Sequence, residues 1–169
     1  MANRTAISIL LLFLTLSAGQ AFAGGPEIGT QAPPIELTDL AGRTVSLSQF
    51  QGKLVLVNFW STLCKPCVAE MPSLSSLYLA LKDQEFHVVA VAIDSTDKPV
   101  REFVTKNHIA FTVLLDKEKE VFFDEYAGPS LPASYLLDRN GNIIEKFDGP
   151  REWDSPEIKN RIMNLLKKR

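Results

Sequence analysis

The chain has 169 residues, 46% of them hydrophobic and 22% charged, with a formal net charge of −2. These values fit one globular domain with an ordinary core and exclude a disordered or fibrous chain. No block of like charges runs along the sequence, so the charge pattern gives no sign of nucleic-acid binding.

The N-terminus opens with a small basic start at Asn3-Arg4, an almost unbroken apolar run from Ala6 to Leu16 and then Ala21-Phe22-Ala23. The run is short for a bilayer span, and the small-x-small ending suits a signal peptidase. Residues 1–23 are therefore read as a cleaved secretory signal and 24–169 as the domain. An uncleaved membrane anchor is the alternative. No cysteine lies near the cleavage point to accept a lipid.

Residues 24–34 are rich in Gly and Pro and read as an extended lead-in, after which Ile35–Leu37 and Thr44–Leu47 flank Asp39–Arg43 as the arms of a hairpin. Lys53–Trp60 is a continuous apolar run of strand length, the pattern of a strand buried on both faces. From Cys67 to Lys82 the apolar residues Val68, Met71, Leu74, Leu77, Tyr78 and Leu81 recur at helical spacing, with Pro72 predicting a kink. Phe86–Ile93 reads as a second buried strand, Pro99–Asn107 as a helix opened by its proline, and Phe111–Leu115 as a third strand. A short helix is expected over Lys119–Tyr126. Ala133–Leu137 and Asn142–Phe147 then pair across Asn140-Gly141, and Ser155–Lys168 closes the chain as an amphipathic helix. Its basic residues Lys159, Arg161, Lys167, Lys168 and Arg169 cluster toward the C-terminal end, where cations meet the negative pole of the helix. This alternation predicts an α/β fold with a mixed sheet sandwiched between helices and a β-hairpin added at the N-terminus.

The only two cysteines, Cys64 and Cys67, stand three apart between a buried strand and a helix. Residues at this spacing share a helix face and can close a small disulfide, while the free N–H groups and positive pole of the helix stabilise a thiolate. Cys64 is the expected nucleophile. Lys65 adds a cation beside it, and Pro66 costs no hydrogen bond in a first turn. Cys67, deeper in the helix, is suited to resolving a mixed disulfide. An inert structural disulfide is the bland alternative, and so short a loop gives it little entropic value. A tetrahedral zinc site would need His87 and His108 to complete it, and both read as ordinary structural or surface residues. A Cu(I)-binding chaperone, from a different functional class, would use the same two soft thiolates, yet no Met- or His-rich segment accompanies them.

The run from Asn58 to Pro72, NFWSTLCKPCVAEMP, resembles the active-site signature of the thioredoxin-like TlpA/ResA/DsbE group of exported thiol–disulfide oxidoreductases. The resemblance covers about residues 26–166 and implies a three-layer thioredoxin-like fold. It implies that Trp60, Lys65, Pro66, Leu131 and Pro132 meet the substrate, with Pro132 in a cis peptide bond opposite the cysteines. Glu70 is a candidate for proton transfer; where some of the group place a Glu shortly after the second strand, this chain reads Ile93-Asp94-Ser95-Thr96, and Asp94 could substitute for it. Asp94 could instead cap the helix that follows it. No metal or cofactor is implied beyond the Cys64–Cys67 disulfide itself.

By the same resemblance, the partners are exported protein disulfides or dithiols and a membrane thiol–disulfide electron donor. The location is the bacterial periplasm, with the domain soluble once the signal is removed. The clients include the haem-attachment cysteines of apocytochrome c during cytochrome c maturation. A disulfide-donating oxidase of the same fold is the competing direction. Two departures stand out. Asn58 occupies the place where cytoplasmic thioredoxins bury an Asp, and Leu63 precedes Cys64 where the group often has Trp, leaving a smaller apolar surface beside the nucleophile. A peroxidase reading fails on spacing, because Thr62 lies two rather than three residues before Cys64.

Overall fold

The computed structural model describes residues 25–168, and the segment read as a signal, 1–23, lies outside the described residues. The strands are β1 (Glu36–Asp39), β2 (Thr44–Ser46), β3 (Leu54–Trp60), β4 (Phe86–Ala92), β5 (Thr112–Leu115), β6 (Ala133–Leu137) and β7 (Ile143–Asp148). The helices are α1 (Lys65–Leu81), α2 (Asp97–Lys106) and α3 (Pro156–Lys167).

The apolar run at 54–60 becomes the centre of the sheet. β3 pairs in parallel with β4 from Leu54↔Phe86 to Trp60↔Ala92, and antiparallel with β6 from Val55↔Leu137 to Phe59↔Ala133. The seven strands follow the order β2-β1-β5-β4-β3-β6-β7, so the N-terminal hairpin extends one edge by pairing β1 against β5. Because side chains alternate across a strand, β3 feeds two cores at once. Leu54, Leu56 and Trp60 enter one, while Val55, Val57 and Phe59 enter the other. The first core is roofed by α1 through Met71, Leu74, Leu77 and Leu81, by α2 through Val100, and by α3 through Ile162.

The second face carries a different cover. Phe59, Phe122, Tyr126 and Tyr135 pack as an aromatic group, with Phe59 at 4.8 Å from Tyr126 and 5.3 Å from Phe122. The N-terminal lead-in closes over them: the Tyr126 hydroxyl donates to the Pro33 carbonyl at 3.0 Å. The helix expected over Lys119–Tyr126 contracts to one wide turn, Val121–Glu125. Lys119 and Ala127 adopt positive φ at its two ends, which stops a helix from propagating. The Asp116 carboxylate accepts the Phe122 N–H at 2.9 Å, a bond that replaces part of the missing ladder.

The remaining elements follow their sequence signals closely. α1 starts two residues earlier than expected and runs through Pro72 to Leu81. α3 is capped by Ser155, whose hydroxyl accepts the Ile158 N–H, with Pro156 at the first position. In the β6–β7 connection Asp138 accepts the N–H groups of Asn140 and Asn142, and Gly141 takes φ +85, where a Cβ would stand 2.6 Å from Gln31 Nε2.

His87 on β4 lies 2.9 Å from Thr112 Oγ1 and stacks on Phe50 at 4.5 Å, so it is the structural residue expected from sequence. Burial, with a smaller push from Lys53, lowers its pKa to about 4. The unfolded imidazole binds a proton near its ordinary value of about 6.5. Stability is therefore lost as pH falls from about 6.5 toward about 4, because only the unfolded chain takes up the proton there. Buried Glu70 and Asp116, with raised pKa values, act in the opposite sense. The difference between His87→Phe and the parent chain isolates the histidine: thermal melts from pH 7 to pH 4 should show a shallower decline in the variant.

Candidate active site

Where β3 leaves the sheet the chain makes a four-residue loop, Ser61 to Cys64, and enters α1. Cys64 is the N-cap of that helix: its Sγ accepts the Cys67 N–H at 3.2 Å, and its carbonyl accepts the Val68 N–H at 3.0 Å. Cys64 and Cys67 form a disulfide, with their Cα atoms 5.2 Å apart. Cys67 is 0% exposed within the helix-side core, whereas Cys64 is partly open to solvent. A partner sulfur can therefore approach only Cys64. The same end of α1 carries the unpaired N–H groups and positive pole that favour a thiolate.

The loop is fixed at every residue. Ser61 Oγ accepts the Leu63 N–H at 3.2 Å, and the Ser61 carbonyl accepts the Cys64 N–H at 3.1 Å. Thr62 donates its N–H to Asp94 Oδ2 at 3.1 Å and its hydroxyl to Asp94 Oδ1. Leu63 is left 90% exposed directly before the nucleophile, and Lys65 and Pro66 are exposed just after it. The Leu131–Pro132 peptide is cis, as the family resemblance implied. The β3–β6 register pairs Phe59 with Ala133, so Pro132 lies at the end of β3 from which the cysteine loop departs. Pro132 is buried, Leu131 half-buried, and the Pro132 carbonyl accepts the Gly149 N–H at 2.9 Å.

Two sequence expectations need correction. Trp60 is 1% exposed and packs on Phe103 at 5.1 Å, so it supports the site from below and offers no surface to a substrate. A strand residue that points into the helix-side core has no other place to go. Asp94 does not cap α2: the capping residue is Thr96, and the Asp94 side chain turns to Thr62 instead.

Glu70 lies on α1 one turn beyond Cys67 and is only 3% exposed. Its Oε1 accepts from Asn58 Nδ2 and its Oε2 from the Arg151 N–H, both at 2.9 Å. Asn58 Nδ2 also donates to Ser134 Oγ at 2.9 Å, so one network joins β3, α1, β6 and the chain before α3. Burial raises the Glu70 pKa, and the donors from Arg151 and Asn58 offset part of that rise. Ser134, Arg151 and the Thr62–Asp94 pair were not anticipated as partners. A cavity of about 320 Å³, lined in part by Ile35, Phe50, Val55 and Leu137, lies near the opposite end of β3. Among the described residues no three His, Cys, Asp or Glu side chains gather into a metal-binding group, and no helix is long and apolar enough to cross a membrane.

A sequence model described as the AhpC/TSA family matches residues 28–146. The chain belongs to this thioredoxin-like family. It is 35% identical over 167 residues to thiol-disulfide oxidoreductase ResA of Bacillus cereus, which covers 95% of this chain and 92% of that protein. The protein of the same name from Geobacillus kaustophilus is 36% identical over 122 residues, covering 72% of this chain and 70% of its own. Among solved structures, the thioredoxin domain of a thiol-disulfide oxidoreductase from Bacteroides vulgatus superposes with a TM-score of 0.74 at 28% identity, covering 84% of this chain and 99% of that one. A thiol:disulfide interchange protein from Bacteroides sp. gives 0.72 at 28% identity, covering 86% and 91%. With its Cys64–Cys67 pair, this family member is a thiol–disulfide oxidoreductase of thioredoxin-like fold.

The Glu70 network predicts a measurable stability term. Glu70→Ala leaves the Arg151 N–H without its acceptor and should cost about 1–3 kcal/mol in denaturant unfolding. The Cys64–Cys67 disulfide should still form.

Proposed function

We propose that this chain reduces disulfide bonds in exported proteins, with the haem-attachment cysteines of apocytochrome c as a client class. The observation that carries the reading is the asymmetry of the pair: Cys64 partly open to solvent on a helix N-cap, Cys67 fully buried one turn on. The Cys64 thiolate attacks a client disulfide sulfur, forming a mixed disulfide and releasing the client's other sulfur as a thiolate. The Cys67 thiolate then attacks Cys64 Sγ, closing the Cys64–Cys67 bond and releasing the second client thiolate. Two electrons pass to the client, which takes up two protons as its thiols form. The disulfide seen in the structure is the product state of this cycle, and a membrane dithiol donor would return it to the dithiol.

Lys65 and Pro66 are exposed just after Cys64 and Leu63 just before it, and the family resemblance adds Leu131 and Pro132 to the surface that meets a client. Glu70, buried with a raised pKa and three residues from Cys67, fits proton transfer to the resolving sulfur. Export is read from the apolar run and Ala-x-Ala ending of residues 1–23, which together with the family resemblance supports a periplasmic location.

The reduction potential of residues 24–169 in defined thiol/disulfide buffers, with Cys64→Ser as control, tests the direction. A value near or below about −270 mV supports a reductase, and one near about −120 mV makes the protein a disulfide donor. Cys67→Ala should in turn accumulate a mixed disulfide through Cys64, seen as a mass shift that dithiothreitol reverses.

A further inference from the structure

The exchange steps proposed above assign no role to Asp94, yet it is held in a specific place. It lies two residues beyond the end of β4, is 7% exposed, and spends its hydrogen bonds on the N–H and hydroxyl of Thr62. Burying a carboxylate is costly unless it is paired and hydrogen-bonded. Among the described residues no Lys or Arg forms an ion pair with it; the five pairs found join Arg43–Asp39, Lys98–Glu102, Arg101–Asp97, Arg139–Glu85 and Arg161–Glu145. The negative charge is therefore anchored to the loop that presents Cys64, two residues upstream of the sulfur, and is balanced there by donors rather than by a cation.

We propose that Asp94 is a positioning residue of the redox site: through Thr62 it fixes the loop that presents Cys64, and its charge biases the pair toward the disulfide. This rests on Cys64 being the nucleophile. The sign follows from electrostatics. A nearby negative charge disfavours the Cys64 thiolate and with it the reduced state, so the oxidised form gains and the protein becomes a stronger reductant. Lys65 beside Cys64 acts in the opposite sense. Glu70, farther along α1, is held by Asn58 and the Arg151 N–H. Asp94 thus offsets the helix pole and Lys65, which alone would push the pair toward an oxidant.

Two substitutions separate the parts. Asp94→Asn removes the charge and keeps an acceptor for Thr62; Thr62→Val removes the hydroxyl and keeps the charge. At an effective dielectric of about 20, a unit charge within about 12 Å is worth about one tenfold step or more. Asp94→Asn should therefore move the equilibrium with glutathione about tenfold toward the dithiol, about 30 mV for this couple, and lower the pH at which the Cys64 thiolate absorbance appears. Thr62→Val should leave that equilibrium near the parent value and slow attack by Cys64 on a small disulfide at a pH where the thiolate is fully formed. Thr62→Ser should restore the rate.

A folded Asp94→Asn protein whose equilibrium and thiolate titration match the parent overturns the proposal. So does Thr62→Val with the parent rate, a readout that remains decisive if Asp94→Asn fails to fold. Alkylation that labels Cys67 ahead of Cys64 would instead remove the nucleophile assignment beneath it, a failure distinct from either of these.

Discussion

Strand β3 is hydrogen-bonded to neighbours on both sides and packed on both faces, so nothing between Leu54 and Trp60 can shift without breaking two ladders and two cores together. The chain is free of the sheet only from Ser61 onward. That constraint places the turn into α1 at a fixed point, and the Cys64 N-cap with it. Cys67 falls one helical turn later, on the face of α1 that meets the sheet, and is buried for the same reason that Met71, Leu74 and Leu77 are. The chemical difference between the two sulfurs is thus a consequence of helix geometry laid against an immovable strand.

Around this fixed point the protein buries two carboxylates, and they are used differently. Glu70 is held from β3 and from the segment before α3, so it ties the base of the helix to the sheet. Among the described residues, the Asp94 side chain is held from the cysteine loop alone. A hydrogen bond to a charged carboxylate adds about 1.5–3 kcal/mol of net stability, and its loss would leave a buried group unpaired. The cysteine loop and the base of α1 are therefore each held in one arrangement. A rigid loop suits a reaction in which one sulfur must meet two different partners in turn, first the client and then Cys67.

The sequence made much of this legible, and the parts it hid share a physical cause. Continuous apolar runs marked β3 and β4, helical spacing marked α1, and Asn140-Gly141 marked the β6–β7 turn. Each is a local pattern read within a few residues. The cysteine pair was legible because its chemistry depends on spacing alone. The wide turn at Val121–Glu125 was hidden, because positive φ at Lys119 and Ala127 leaves no compositional mark. The Thr62–Asp94 and Glu70–Arg151 bonds span 32 and 81 residues, distances over which no periodicity carries information. Trp60 was misplaced because its nearness to the cysteines in sequence hid the fact that its strand position points it into the core. The cis bond at Pro132 was accessible only through the family resemblance.

The central claim is that the two cysteines are unequal, with Cys64 alone meeting a partner. Brief treatment of the reduced protein with a limiting amount of iodoacetamide at neutral pH, followed by peptide mass mapping, tests it directly. The account predicts modification at Cys64 and protection of Cys67. Labelling of Cys67 first, or of both sulfurs at equal rates, would contradict it.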